Sequence, residues 1–150
     1  MDVATAVASY EHWWQTHYGV ERDDSDLRAE GNVLRHRAVG KVVVRPAATT
    51  TALELELLRR AAARTGAGID VVPADEPEPA LAARLGALAA DRLRLLGPVG
   101  DDLRRAAHAA GVTIDDTPVT GHGHVELPCW LREQAVSITR HRHGRISPPS

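Results

Sequence analysis

The sequence lacks several features that define common protein classes. Its 150 residues include one cysteine, Cys129, and no phenylalanine, with only three tryptophans and two tyrosines. One cysteine forms no internal disulfide, so we expect a reducing, cytoplasmic location. No apolar run approaches the roughly 20 residues of a membrane-spanning helix, and no basic stretch before an apolar core predicts a secretory signal. The formal net charge of -2 does not favour nucleic-acid binding.

Residues 1–38 are predicted to form an N-terminal helix and a connecting arm. We expect the helix to end at Gly19 and an extended segment to begin near Asn32. The helix has one aromatic-rich apolar face, formed by Val3, Ala6, Val7, Tyr10 and Trp14. That face needs a surface to pack on, and one hypothesis is a homodimer formed through it.

Residues 39–118 alternate between strand and helix patterns. Four apolar strand segments occur at residues 42–44, 69–72, 93–96 and 112–114, and an amphipathic helix separates each from the next. Strands joined by single helices lie parallel. The sequence therefore predicts an α/β fold with a degenerate Rossmann-like parallel sheet of about four strands, flanked by helices. The order of the strands stays open.

Residues 119–150 are predicted to form a hairpin and an extended C-terminal arm. Gly121-His122-Gly123 is a turn signal, which predicts a hairpin between residues 117–119 and 124–127. Residues 130–139 fit either a short helix or an extended arm, and residues 147–150 are expected to fray. The arm mixes arginines with apolar residues that a solvated tail would not need, which suits contact with another protein surface.

Two sets of residues are candidates for chemistry in a stand-alone protein. Asp115 and Asp116 follow the fourth strand, where a carboxylate pair could act as acid and base, although both also fit a turn beside Pro118. Histidines two residues apart can share a metal ion, and the pairs are His122 with His124 and His141 with His143. The alternative hypothesis is therefore a small metal-binding or hydrolytic protein that uses these residues.

The cysteine and the glycine turn do not favour catalysis or cofactor binding. Cys129 lies in the apolar stretch 127–130, and such surroundings make a thiol inert. The turn at 97–100 occupies the place of a dinucleotide loop, but Pro98 removes an amide donor and the three-glycine fingerprint is absent. We therefore expect no catalytic, cofactor-binding or metal-binding residue in this chain.

Three stretches resemble one protein family. Residues 131–137, Leu-Arg-Glu-Gln-Ala-Val-Ser, with Thr139, His141-Arg142 and Gly144, are similar to the C-terminal motif of bacterial proline-utilization flavoenzymes. Residues 30–37 and 93–97 resemble other parts of the same region. Those enzymes join a proline dehydrogenase to an L-glutamate γ-semialdehyde (pyrroline-5-carboxylate) dehydrogenase. The likeness covers nearly the whole chain.

The resemblance implies a non-catalytic, aldehyde-dehydrogenase-like domain whose terminal motif covers the substrate tunnel and supports the aldehyde site of a catalytic partner domain. It assigns partner contacts to Leu131, Arg132, Glu133, Gln134, Ser137, Thr139, His141, Arg142 and Gly144. NAD and FAD belong to the parent enzymes, so no cofactor is expected here. The chain departs from the family at His143, where a tyrosine is usual, and it has no Gly-Gln-x-Cys nucleophile motif. It fits a fragment, a separate docking subunit or a decayed remnant.

Overall fold

A computed structural model describes residues 2–25, 27–28, 30–139, 141–142 and 145–146. The helices are α1 (Val3–Trp13), α2 (Ala52–Thr65), α3 (Glu78–Arg84), α4 (Asp101–Ala109) and the single turn α5 (Gly123–Glu126). The strands are β1 (Glu30–Ala38), β2 (Lys41–Arg45), β3 (Gly68–Val71), β4 (Arg92–Leu95), β5 (Thr113–Asp115), β6 (Leu131–Thr139), β7 (His141–Arg142) and β8 (Arg145–Ile146). A π-helical turn, Trp14–Tyr18, continues α1, and 3-10 turns follow α3 (Leu85–Leu88) and α5 (Leu127–Trp130).

Four parallel strands form the central sheet in the order β3-β2-β4-β5. Val43 of β2 is in register with Asp70 on one side and with Leu93 on the other, and Leu93 is in register with Ile114. The predicted four-stranded parallel sheet flanked by helices is confirmed. Its order places the topological switch point, where ligands of such sheets usually bind, between β2 and β4.

Alternate side chains of the sheet are buried in two separate apolar clusters, because successive residues of a strand face opposite sides. Val43 and Leu93 pack in the cluster that contains residues of α3 and α4. Val42 and Val44 pack in the cluster that contains residues of α1 and α2, together with Trp130. None of the helices in the described part of the chain is long and apolar enough to cross a membrane.

Helix α2 begins and ends at the residues that the sequence indicates. The hydroxyl of Thr51 accepts a hydrogen bond from the Glu54 amide at 3.2 Å, and the Glu54 carboxylate accepts one from the Thr51 amide at 2.7 Å. These two bonds form a capping box. Gly66 ends the helix with φ at 81°, in the left-handed region that favours glycine.

We expect Gly66→Ala to lower the free energy of unfolding by about 1 kcal/mol, because alanine is strained at this positive φ. Gly86→Ala is the matched control. A Cβ at either position would meet no atom within 4 Å, but Gly86 has no positive φ. Urea unfolding of both variants measures the difference, and equal losses would contradict the assignment of the effect to backbone strain.

The strands β1 and β6 form a separate antiparallel ribbon, called the ribbon below (residues 30–38 and 131–139). Its register runs from Glu30 opposite Thr139 to Ala38 opposite Leu131. At the base, the amide of Val39 donates to the carbonyl of Trp130 at 3.0 Å. The extended alternative for the arm is thus the one that forms. Beyond it, β7 and β8 pair with each other, while the predicted frayed residues 147–150 lie outside the described part.

The hairpin predicted around residues 121–123 is wrong, because Gly123–Glu126 is a helical turn. Contacts with α1 replace the expected strand pairing. The amide of Gly123 donates to the Ser9 hydroxyl at 2.9 Å, and a Cβ on Gly123 would lie 2.6 Å from the Ser9 carbonyl oxygen. The Tyr10 hydroxyl donates to the carbonyl of Thr120 at 2.5 Å. The glycine therefore permits close helix packing, which local turn signals do not reveal.

Candidate docking site

A buried arginine connects the sheet to the turn from which the ribbon strand β6 starts. Arg94 lies on β4, and only 1% of its side chain is exposed. Its Nη1 donates to Oδ2 of Asp115 at 2.9 Å, and its Nη2 donates to the Glu126 carboxylate at 3.2 and 3.3 Å. Its buried Nε has no hydrogen-bond partner. Sequence reasoning missed Arg94, although a charged residue between two leucines of a buried strand signals an internal partner.

Glu126 accepts two further hydrogen bonds in this network. Its side chain is fully buried, and it accepts from Nε1 of Trp130 at 3.0 Å and from the amide of Thr120 at 3.1 Å. Buried charges are tolerated when they are paired and hydrogen-bonded in this way. Because Trp130 directly precedes β6, the network fixes the point at which the ribbon leaves the sheet.

Burial and charge act in opposite directions within this network. Burial raises the pKa of the Glu126 carboxyl above its ordinary value, although Arg94 favours the charged form. For Arg94, burial opposes the charge, but the neighbouring carboxylates dominate and raise its pKa. For Asp115, burial is likewise outweighed by Arg94, and the pKa is lowered. Burial therefore prevails at Glu126, whereas the oppositely charged neighbours prevail at Arg94 and Asp115.

The sulfur of Cys129 lies beside the same network and is not prepared for nucleophilic attack. The residue is buried, and burial raises the pKa of its thiol to about 11. A thiol is reactive as the thiolate, which this environment disfavours. The inert, structural interpretation of Cys129 agrees with this geometry.

The two faces of the ribbon differ in what they contact. His36, on one face, makes ring contacts with Tyr18 and His17, with centroids 5.0 and 5.8 Å apart. Side chains alternate across a strand, so the odd-numbered residues of β1 lie on the face opposite His36, together with the β6 residues that are in register with them. That face, called the docking face below, consists of Val33, Arg35, Arg37, Arg132, Gln134, Val136 and Ile138.

The contact residues that the resemblance assigns lie mostly along β6. Leu131 is buried at the base of the ribbon, whereas the rest of the β6 set is exposed, namely Arg132, Glu133, Gln134, Ser137 and Thr139. Ser137 donates to the side-chain oxygen of Asn32 at 2.7 Å. His141 and Arg142 form β7, and Gly144 lies outside the described residues.

The residues of the alternative hypothesis whose side chains the structure describes are not brought into one cluster. Asp115 is paired with Arg94, and Asp116 is exposed. The ring of His124 packs on Trp13 with centroids 4.4 Å apart. Within the described ranges, no group of three or more His, Cys, Asp or Glu residues is arranged to hold a metal ion. His143 lies outside those ranges.

Comparison with solved structures gives a relative that covers nearly the whole chain. Proline utilization A (PutA) from Corynebacterium freiburgense is 33% identical, with a TM-score of 0.73 over 93% of this chain. The chain is a PutA C-terminal-like region. It spans 13% of the length of that PutA, which is consistent with a fragment of a larger enzyme. The similarity supports the view that this PutA-like chain is a domain related to proline utilization.

A second similarity concerns the fold alone. Histidinol dehydrogenase from Elizabethkingia anophelis has a TM-score of 0.52 and 14% identity, over 79% of this PutA-like chain and 35% of its own. No family model matches the chain, and no curated protein matches it.

Proposed function

We propose that the chain is the non-catalytic C-terminal domain of a proline-catabolic L-glutamate γ-semialdehyde dehydrogenase. Its ribbon docks on the catalytic domain, covers the substrate tunnel and supports the aldehyde site. The observation that carries the proposal is the ribbon itself, which stands outside the central sheet as a sheet of two strands. A lone two-stranded ribbon is marginally stable in water, so covering it on docking is favourable.

The chemistry of the docking face favours a partner surface with apolar pockets and an acidic rim. Ile138 is 54% exposed, and it shares the face with Val33 and Val136. The strands place three arginines and no carboxylate on this face. Glu21 approaches Arg35 and Arg37 through one oxygen, at 3.5 and 3.6 Å. Such exposed pairs contribute little, so Glu21 does not prevent the guanidinium of Arg37 from meeting partner carboxylates. Arg35 also donates from Nε to Oε1 of Gln134 at 2.8 Å.

The residues at the carboxyl ends of the sheet strands favour the interpretation that the domain binds no dinucleotide. The cavity at the carboxyl ends of β4 and β5 is about 340 Å³ and is lined by Glu54 of the α2 capping box. At the start of α4, the amide of Gly100 donates to the Glu78 carboxylate at 2.9 Å. Asp101 and Asp102 occupy the first turn of that helix. A pyrophosphate needs free amides and positive potential there. Arg104 lines the cavity, but the carboxylates of Glu54 and Asp116 line it as well.

The environments of the two side chains that could act in catalysis also favour a non-catalytic role. The thiol of Cys129 is buried with a raised pKa, and Asp115 is occupied by Arg94 and by the amide of Thr117 at 3.0 Å. Neither group is held in the activated state that nucleophilic or general-base catalysis requires.

The test combines this chain with the catalytic module of a proline utilization A that lacks its C-terminal domain. We expect a complex in titration calorimetry and an increase in NAD-dependent oxidation of L-glutamate γ-semialdehyde. Ile138→Asp should weaken binding by about tenfold or more, because it places a charge in the apolar part of the docking face, where the partner surface is expected to be apolar too.

The matched control is Leu53→Asp, which changes another exposed apolar residue, 42% accessible, on α2. It should leave the affinity unchanged. The absence of a complex, or equal weakening by both variants, would contradict docking through the ribbon. Turnover of the aldehyde by this chain alone would contradict the non-catalytic role.

A further inference from the structure

The cavity at the carboxyl ends of β4 and β5, called the cleft below, is lined by charges of both signs. Its volume is about 340 Å³, and Glu54, Arg104 and Asp116 line it together. Arg104 belongs to α4, Asp116 follows β5, and Glu54 belongs to the first turn of α2. Ligands of open parallel sheets bind in the crevice outside the carboxyl ends of the strands. The cleft therefore has the position of a ligand site, although its mixed charges do not suit a dinucleotide.

The opposite charges of the cleft do not neutralise one another. In the part of the chain that the structure describes, the side chains of Arg104 and Asp116 make no ion pair and no hydrogen bond, although both line the same space. Both residues are exposed, so a small solute can reach them without any opening of the fold. An arginine and an aspartate that share a cavity without pairing leave room for a ligand that carries both charges itself.

Glu54 adds a second carboxylate, which the fold holds in place. Its Oε2 accepts hydrogen bonds from the amide and from the hydroxyl of Thr51, at 2.7 and 2.8 Å. Hydrogen bonding to the Thr51 amide, and then to its hydroxyl, lowers the pKa of the Glu54 carboxyl, so the group is ionised at neutral pH. Among the described residues, Oε1 has no donor. An ammonium group has three donors, so it can bond to this oxygen and to Asp116.

The rest of the cleft lining is mainly apolar. It consists of Leu95, Leu96, Pro98, Pro118 and Val119, beside Gly97 and Thr117. Removing apolar ligand surface from water against such side chains is favourable in proportion to the area covered. The cleft thus offers one cationic group, two anionic groups and an apolar surface. A compact molecule with a carboxylate, an ammonium and an aliphatic body can use all of them.

We propose that the cleft binds a free amino acid with an aliphatic side chain. The α-carboxylate of the ligand pairs with the guanidinium of Arg104, whose planar donors suit bidentate contact with a carboxylate. The α-ammonium donates to Asp116 and Glu54, and the aliphatic side chain packs on the apolar lining. A ligand with one charge leaves the groups of the other sign unpaired and binds more weakly. Binding at the cleft requires neither the ribbon nor a catalytic partner.

The test titrates the chain alone with L-valine at neutral pH and follows the NMR chemical shifts of backbone amides. We expect saturable shifts at millimolar concentrations for Gly97 and Thr117, which line the cleft. Amides of β3, at the opposite edge of the sheet, should not shift. L-valinamide lacks the carboxylate and isovalerate lacks the ammonium, and each should bind at least about tenfold more weakly than L-valine.

Two pairs of variants separate the charges of the cleft from other charges nearby. Arg104→Met and Asp116→Asn should each weaken the binding of L-valine by about tenfold or more. The matched controls, Arg105→Met and Asp101→Asn, change charges of α4 that do not line the cleft, and they should leave the affinity unchanged. The absence of saturable shifts with L-valine overturns the proposal. So does equal affinity for the three compounds, or equal weakening by the cleft variants and their controls.

Discussion

Glu126→Ala is expected to lower the free energy of unfolding by about 3–5 kcal/mol, because it removes one partner of a buried ion pair. The guanidinium of Arg94 would keep Asp115 but lose both oxygens of a carboxylate that is itself fully buried. The indole of Trp130 and the amide of Thr120 would each lose an acceptor as well. Denaturant unfolding at neutral pH measures the loss.

A double-mutant cycle separates the ion pair from simple packing. Arg94→Met/Glu126→Leu replaces both charges by apolar side chains of similar volume, and such replacements are often nearly neutral in stability. We expect this double variant to be more stable than either of its single variants, Arg94→Met and Glu126→Leu. A double variant whose loss equals the sum of the two single losses would show that Arg94 and Glu126 are not energetically coupled.

Trp130→Ala is expected to cost about 3–5 kcal/mol, the range for removing a fully buried large aromatic side chain. Trp130 is the largest fully buried side chain in the described part of the chain, and it packs in the same cluster as Tyr10 and Leu58. The variant also withdraws the indole donor from Glu126. The loss should be read from the unfolding midpoint and from near-ultraviolet circular dichroism.

Two further variants separate the contribution of the indole hydrogen bond from the contribution of burial to this loss of stability. Trp130→Phe keeps an aromatic ring but removes the N–H donor to Glu126, so we expect a smaller loss of about 1–3 kcal/mol. Trp13→Ala removes a partly buried tryptophan on α1 and should cost less than Trp130→Ala. If Trp13→Ala were as damaging as Trp130→Ala, burial would not be the property that ranks these residues.

The central sheet was predictable because its signals are local. Residues 42–44 form a short apolar run of the kind expected for a strand buried on both faces, and the capping box at Thr51 places the start of the next helix. The order of the strands depends on which edges meet after folding, and no local pattern records it. The separate pairing of β1 with β6 was equally invisible, since Arg35 and Gln134 are 99 positions apart.

The misjudged parts are those where distant contacts override local preference. Gly121-His122-Gly123 carries a turn signal, but Gly123 packs against α1 and begins the helical turn Gly123–Glu126 instead of a hairpin. Glu126 looks like a surface residue in sequence, and the sequence around Arg94 does not say which carboxylate pairs with it. Only the fold shows that Arg94 and Glu126 neutralise one another. The partner-contact residues on β6 could be located from their resemblance to a family motif. Their division between the two faces of the ribbon, with Arg132 and Gln134 alone on the docking face, required the strand register.

The pairing of β1 with β6 has a consequence for the order of events during synthesis. Domains generally begin to fold from the N-terminus as the chain emerges from the ribosome, and β1 emerges long before its partner strand. The central sheet can assemble in the interval, because its strands are joined by short crossovers, whereas the ribbon requires closure of a loop that contains the whole sheet. The ribbon is therefore completed after the central sheet, and until then β1 lacks its partner strand and exposes that edge to its surroundings.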